Sequence, residues 1–131
     1  MPVEGVVNAL RTIHAAFVPG GLVVDRQPVS IEPPVESESG ELGRLDMREW
    51  GRTIEEIDGR FEATFRDGLF ALQEERSFIV TESFGDAAEM LTMVRNWHGT
   101  HIPDELEERI ARSDGAVHVP QVIRLRLLRA R

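Results

Sequence analysis

The chain has 131 residues, 41% apolar and 29% charged, with a net charge of −8, a composition that suits one globular domain able to bury about two-thirds of its unfolded surface. That acidic balance argues against nucleic acid as a partner. No apolar run is long enough for a bilayer, and no basic segment precedes an apolar one at the N-terminus, so neither a membrane nor a signal peptide is expected and the expected location is cytoplasmic. Cysteine is absent and all 15 Lys+Arg positions are arginine, which removes disulfides, thiolate nucleophiles, Cys-ligated zinc and Schiff-base lysines.

In chain order, residues 3 to 17 read as a helix carrying Val3, Val6, Val7, Leu10, Ile13, Ala16 and Phe17 on one face. Pro19 stops it, and Gly20-Gly21 supplies the backbone angles of a tight helix-to-strand turn. Leu22-Val23-Val24-Asp25 follows as a short apolar strand of the kind covered on both faces. Residues 26–44, with Pro28, Pro33, Pro34, Gly40 and Gly43, read as a flexible Pro-rich loop or arm, with room for a short edge strand at Val29, Ile31 and Val35.

The strongest periodic signal is Trp50, Ile54, Ile57, Phe61 and Phe65, one face of a long helix from about Asp46 to Asp67. Asp46 suits its N-cap, with Glu49 three residues on, and Gly51 and Gly59 weaken it by roughly 1 kcal/mol each relative to Ala. Residues 69 to 84 read as a strand with a bend near Gln73 to Glu75. Asp86 caps a helix to about Asn96 with Met90, Leu91, Val94 and Trp97 inward, and Pro103 opens a shorter one carrying Leu106 and Ile110. Ala116 to Leu128 is a last strand, with Val117, Val119, Ile123, Leu125 and Leu127 on one side and His118, Arg124 and Arg126 on the other. Pro120 within it implies a bulge or an edge.

The run Ala9-Leu10-Arg11-Thr12-Ile13-His14-Ala15-Ala16-Phe17-Val18-Pro19-Gly20-Gly21-Leu22-Val23-Val24-Asp25 resembles the helix, Pro-Gly-Gly turn and fifth strand of class I S-adenosylmethionine-dependent methyltransferases. The order that follows is similar to the C-terminal half of that fold. Residues 69 to 84 would match its sixth strand and residues 116 to 129 its seventh, which in the family inserts antiparallel between fifth and sixth. The fold expected is therefore α/β, a truncated methyltransferase-like single domain over 1–131, with a small mixed sheet and a long helix packed on it. The family's Gly-rich cofactor turn and its ribose-binding acid have no counterpart here. Gly20-Gly21 leads from helix to strand, whereas phosphate-cradling loops lead from strand to helix.

The resemblance then implies a non-catalytic interaction protein acting as a homodimer or on a partner protein. The isolated chain would bind no S-adenosylmethionine. Two alternatives stay open: one part of a split methyltransferase completed by another chain, and a small-ligand-binding homodimer with a pocket between the long helix and the sheet. Asp25, Arg26 and Gln27 are candidate ligand-facing residues, because the end of a strand in an open α/β sheet faces the crevice where ligands bind. The competing reading of Asp25 is a capping or loop residue. Trp97, His98 and His101 form a second candidate, two imidazoles beside an indole, against the reading of an exposed loop between helices. No catalytic or metal-binding residue is assigned. Glu74, Glu75, Glu105, Glu107 and Glu108 read as a solvated acidic face rather than as paired carboxylates, and Arg124, Arg126, Arg129 and Arg131 as a solvated strand face, the alternative being pairing with the acidic surface or binding of an anion.

Overall fold

The computed structural model describes residues 20–131; the helix expected over residues 3 to 17 lies outside them. Eight elements follow: β1 (Leu22–Pro28), β2 (Pro34–Ser37), β3 (Gly40–Arg44), α1 (Arg48–Arg66), β4 (Phe70–Phe84), α2 (Ala87–Val94), α3 (Asp104–Arg112) and β5 (Val117–Ala130). The chain is α/β, with five strands hydrogen-bonded in the order β1-β5-β2-β3 and β4 also on β5. The β2–β3 and β2–β5 ladders are antiparallel, and so is β1 on β5, where Gly20 donates to Ala130 and Val29 to Val122. The mixed sheet expected from the sequence is thus antiparallel throughout. β1 and β4 run the same way but do not touch, because β5 lies between them.

By their contacts the residues divide into two compact units. The first takes residues 20–27, Thr53–Phe78 and Arg124–Arg131. Its core gathers Ile57 and Phe61 of α1 with Phe70 of β4 and Leu128 and Ala130 of β5, while Val23, Phe65 and Leu69 pack against it half-buried. The stripe read from the sequence is the reason for this packing, since Ile54, Ile57 and Phe61 recur at helical spacing and are all buried. Thr64, also buried, donates its hydroxyl to the Phe61 carbonyl at 2.7 Å, so the polar atom is satisfied within the helix. β1 departs from expectation. Its side chains alternate, and Leu22 and Val24 are 49% and 61% exposed; the strand is covered on one face, not two.

The second unit takes Pro28–Arg52 and Ile79–Ile123. Val35, Leu45, Met47, Phe84, Met90, Val94, Leu106, Ile110, Val117 and Val119 form its core. The segment read as a flexible Pro-rich arm is paired backbone here. β2 and β3 make a hairpin, Glu36 and Ser37 pair with His118 and Val117, and Leu45 and Met47 donate to the carbonyls of Pro33 and Ile31. Local composition hid this, because the partners lie far away in sequence. Pro120, expected at a local break of the ladder, lies in one. It falls between the last β1-side contact, at Val122, and the β2 contact, at His118, so its missing N–H interrupts no ladder there. β4 is one continuous strand, without the bend expected near Gln73 to Glu75. Asp86 caps α2 as expected, accepting from the Glu89 amide at 2.8 Å.

Gly99 is the tightest point of this unit. Its φ is +67, and an added Cβ would stand 2.7 Å from the Trp50 backbone nitrogen. Gly99→Ala is therefore expected to destabilise by about 1–3 kcal/mol, combining left-handed strain with a displaced α1 start. Chemical denaturation followed by the fluorescence of Trp50 and Trp97 would measure it, and an unchanged midpoint would refute the placement.

Candidate functional site

Two charges on one face of an apolar strand need an answer from across the core. Arg124 and Arg126 of β5 find it in Asp58, which lies beside Ile54, Ile57 and Phe61 on the buried side of α1. Arg124 grips both Asp58 oxygens, at 2.9 and 2.7 Å, and Arg126 donates to Oδ1 of the same carboxylate. The Arg126 side chain is only 5% exposed, and its guanidinium lies 5.4 Å from the centre of the Phe61 ring. Glu75 of β4 stands 3.5 Å from Arg126 Nε and 3.8 Å from Arg124 Nε. Asp25 of β1, whose side chain is 9% exposed, stands 3.9 Å from Arg126 Nε. These last contacts are within Coulomb reach but longer than hydrogen bonds. Asp25 Oδ2 and both arginine Nε atoms have no hydrogen-bond partner among the described residues.

Burial pushes the Asp58 carboxyl up, but the hydrogen bond from Arg124 and the charge of Arg126 outweigh it and hold the group below its ordinary value. For Arg124, burial works against the charged form, and the hydrogen bond and charge of Asp58 more than restore it. A carboxylate so held is a poor base. The constellation fastens α1 to the strands of the first unit.

Sequence reasoning missed this cluster by treating Arg124 and Arg126 as solvated; Arg126 is buried. The signal was present. Asp58 interrupts an apolar helix face, and Arg124 and Arg126 stand two apart in a strand otherwise made of Val, Ile and Leu. Asp25 was read at the end of its strand, but β1 runs on to Pro28 because its ladder reaches Val29. Gln27 donates to Asp25 Oδ1 at 3.2 Å, while Arg26 is exposed and faces away from both.

Trp97, His98 and His101 belong to the second unit. Trp97 is half-buried against Phe84, with ring centres 6.3 Å apart, and His98 meets the edge of Trp50 at 5.9 Å. His101 exchanges backbone hydrogen bonds with Asp46. It lines a polar hollow of about 320 Å³ with Asp46, Arg48, Glu49, Arg52 and Gly99. The Arg48 guanidinium and amide bond the Asp46 carboxylate and take its pKa down to about 2. Among the described residues no group of three His, Cys, Asp or Glu is arranged to hold a metal. A shallow groove of about 400 Å³ lies elsewhere in this unit, between Ile31, Pro33 and Pro34 on one side and Pro120 and Val122 on the other, and takes no residue of α1. Three of the acids read as a solvated face have surface partners: Glu74 with Arg76, Glu105 with Arg109 and Glu107 with Arg95.

Among the described residues no helix is long and apolar enough to cross a membrane. No family model, no curated protein and no solved structure matches the chain.

Proposed function

We propose that this chain is a non-catalytic interaction domain that works as a homodimer and is built like the C-terminal half of a class I methyltransferase. The observation that carries the reading is a sheet that is open among the described residues and whose outermost strands expose apolar side chains: Leu22 and Val24 on β1, and Leu72, Phe78 and Ile79 on β4. An open edge offers unpaired backbone groups to a second chain, and closed two-fold symmetry is the commonest way to satisfy them. The antiparallel insertion of β5 between β1 and β4 supports the methyltransferase-like part, since the seventh strand of that fold lies between fifth and sixth. The ionic cluster supports the non-catalytic part, because its central carboxylate is committed to two arginines.

Light scattering across a hundredfold dilution tests the reading. The expected result is a dimer mass that falls toward the monomer at the lowest concentration; a monomer at high micromolar concentration would refute it. Calorimetric titration with S-adenosylmethionine should give no binding heat for the chain alone. A dissociation constant below the millimolar range would favour a complete cofactor site.

A further inference from the structure

β4 is 15 residues long, and 11 of them, Leu72 to Ile79 and Thr81 to Ser83, are exposed. Among the described residues it pairs with β5 alone, so one edge stays open. The middle of that edge is its most apolar part: Phe78 is 43% exposed and Ile79 70%. Natural edge strands are blunted by prolines, bulges, short length or charged side chains, lysine above all; the charges of β4, Glu74, Glu75, Arg76 and Glu82, flank its apolar centre. β4 has no proline, no lysine and no break.

The residues around this centre are self-complementary in one register. A two-fold axis normal to the paired edges keeps each strand's faces, so every residue meets one of the same parity and the axis passes through a single residue. With the axis at Ile79, Arg76 meets Glu82 of the second copy, Phe78 meets Val80, Ser77 meets Thr81, and Ile79 meets itself. Each pairing occurs twice except the last. The result is an apolar centre closed at both ends by opposite charges, the combination that cross-strand pairing rewards. Moving the axis to Phe78 sets Glu74 against Glu82. Moving it to Val80 sets Phe78 against Glu82 and Arg76 against Phe84. Moving it to Ser77 sets Glu75 against Ile79. The Ile79 register keeps such conflicts out of its seven central residues and meets one only at its ends, where Glu74 faces Phe84. β1 offers no equivalent: it is half the length, ends in Pro28, and a centre at Val24 would set Val23 against the buried Asp25.

We propose that the homodimer forms by antiparallel pairing of two β4 edges about an axis through Ile79. This rests on the homodimer reading above and adds the surface and the register.

The absence of cysteine makes the register measurable. Single variants Ser77→Cys, Phe78→Cys, Ile79→Cys, Val80→Cys and Thr81→Cys are oxidised mildly at a concentration where the parent is dimeric. A self-disulfide needs Cα atoms about 4.4–6.8 Å apart, and diagonal neighbours lie about 7–8 Å apart. Ile79→Cys should therefore crosslink well ahead of the other four. Arg76→Glu and Glu82→Arg should each raise the dimer dissociation constant about tenfold, and the double exchange should return it toward the parent. All these sites but the half-buried Val80 are exposed, and far-ultraviolet circular dichroism verifies the fold. A strongest crosslink at another position would overturn the register. A dimeric parent with no crosslink and no charge rescue would overturn the β4 interface and leave the homodimer reading standing. A parent that is monomeric throughout would overturn that reading, and this proposal with it.

Discussion

Phe61→Ala should lower the unfolding free energy by about 3–5 kcal/mol, and Ile57→Ala by about 2–5 kcal/mol, the range for large-to-small changes in a packed core. Phe61 is 4% exposed and belongs to the cluster of Ile57, Phe70, Leu128 and Ala130. Its ring also lies 6.3 Å from Phe65 and beneath the guanidinium of Arg126. Truncation thus leaves a cavity and removes one face of a buried cation's surroundings. For a domain whose whole stability is about 5–15 kcal/mol, that is a large share. Urea denaturation of parent and variants measures it. Midpoints that coincide with the parent's would mean that the α1 stripe is not packed as described.

Asp58→Ala should cost about 2 kcal/mol or more at neutral pH. Removing one member of a buried ion pair costs about 3–5 kcal/mol, because the partner charge is left without compensation. The Asp58 side chain is 33% exposed, so water recovers part of that. The effect should depend on pH in one direction. Asp58 is held below its ordinary value of 3.8 in the folded chain, so its contribution is complete above the unfolded pKa. It is lost as pH falls through the folded pKa. The gap between parent and Asp58→Ala should be widest near neutrality and should shrink as acid protonates the group. A gap of equal size at neutral and strongly acidic pH would show that the loss comes from packing and not from the ion pair. An Arg126→Met variant with Asp58 intact would then be the informative partner, since it keeps an apolar stem of similar length and removes the charge.

Asp46 follows the same sign more weakly. Its pKa near 2 reflects a hydrogen bond from an exposed Arg48, and a surface pair of this kind contributes little that salt would not screen.

Much of the fold is legible from local pattern. The spacing of Ile54, Ile57 and Phe61 defines α1, because a helix face is set by residues three and four apart. Asp86 marks the start of α2 through a bond to the Glu89 amide three residues on, and alternation marks β5. Each is a short-range consequence of backbone geometry, so the sequence by itself determines these elements, the apolar face of α1 and the α/β class. In β5 the buried side passes from Val117, Val119 and Ile123 to Arg126, Leu128 and Ala130, which strict alternation of Leu125 and Leu127 does not give. The self-complementary order of charge about Ile79 is likewise written in the chain, although its use requires β4 to be an edge.

Tertiary structure decides everything that depends on distant partners. Whether Arg124 and Arg126 face water or Asp58 cannot be read from β5, because the carboxylate lies 66 and 68 residues away along the chain. Whether Pro33 and Pro34 sit in a free arm or a paired segment depends on Leu45 and on the His118 ladder. Asp25 reads as a strand end until its ladder is followed to Val29. In each case local propensity was overridden by a long-range hydrogen bond or ion pair. Such bonds are selected by the packing of the apolar faces, which only the folded chain brings together.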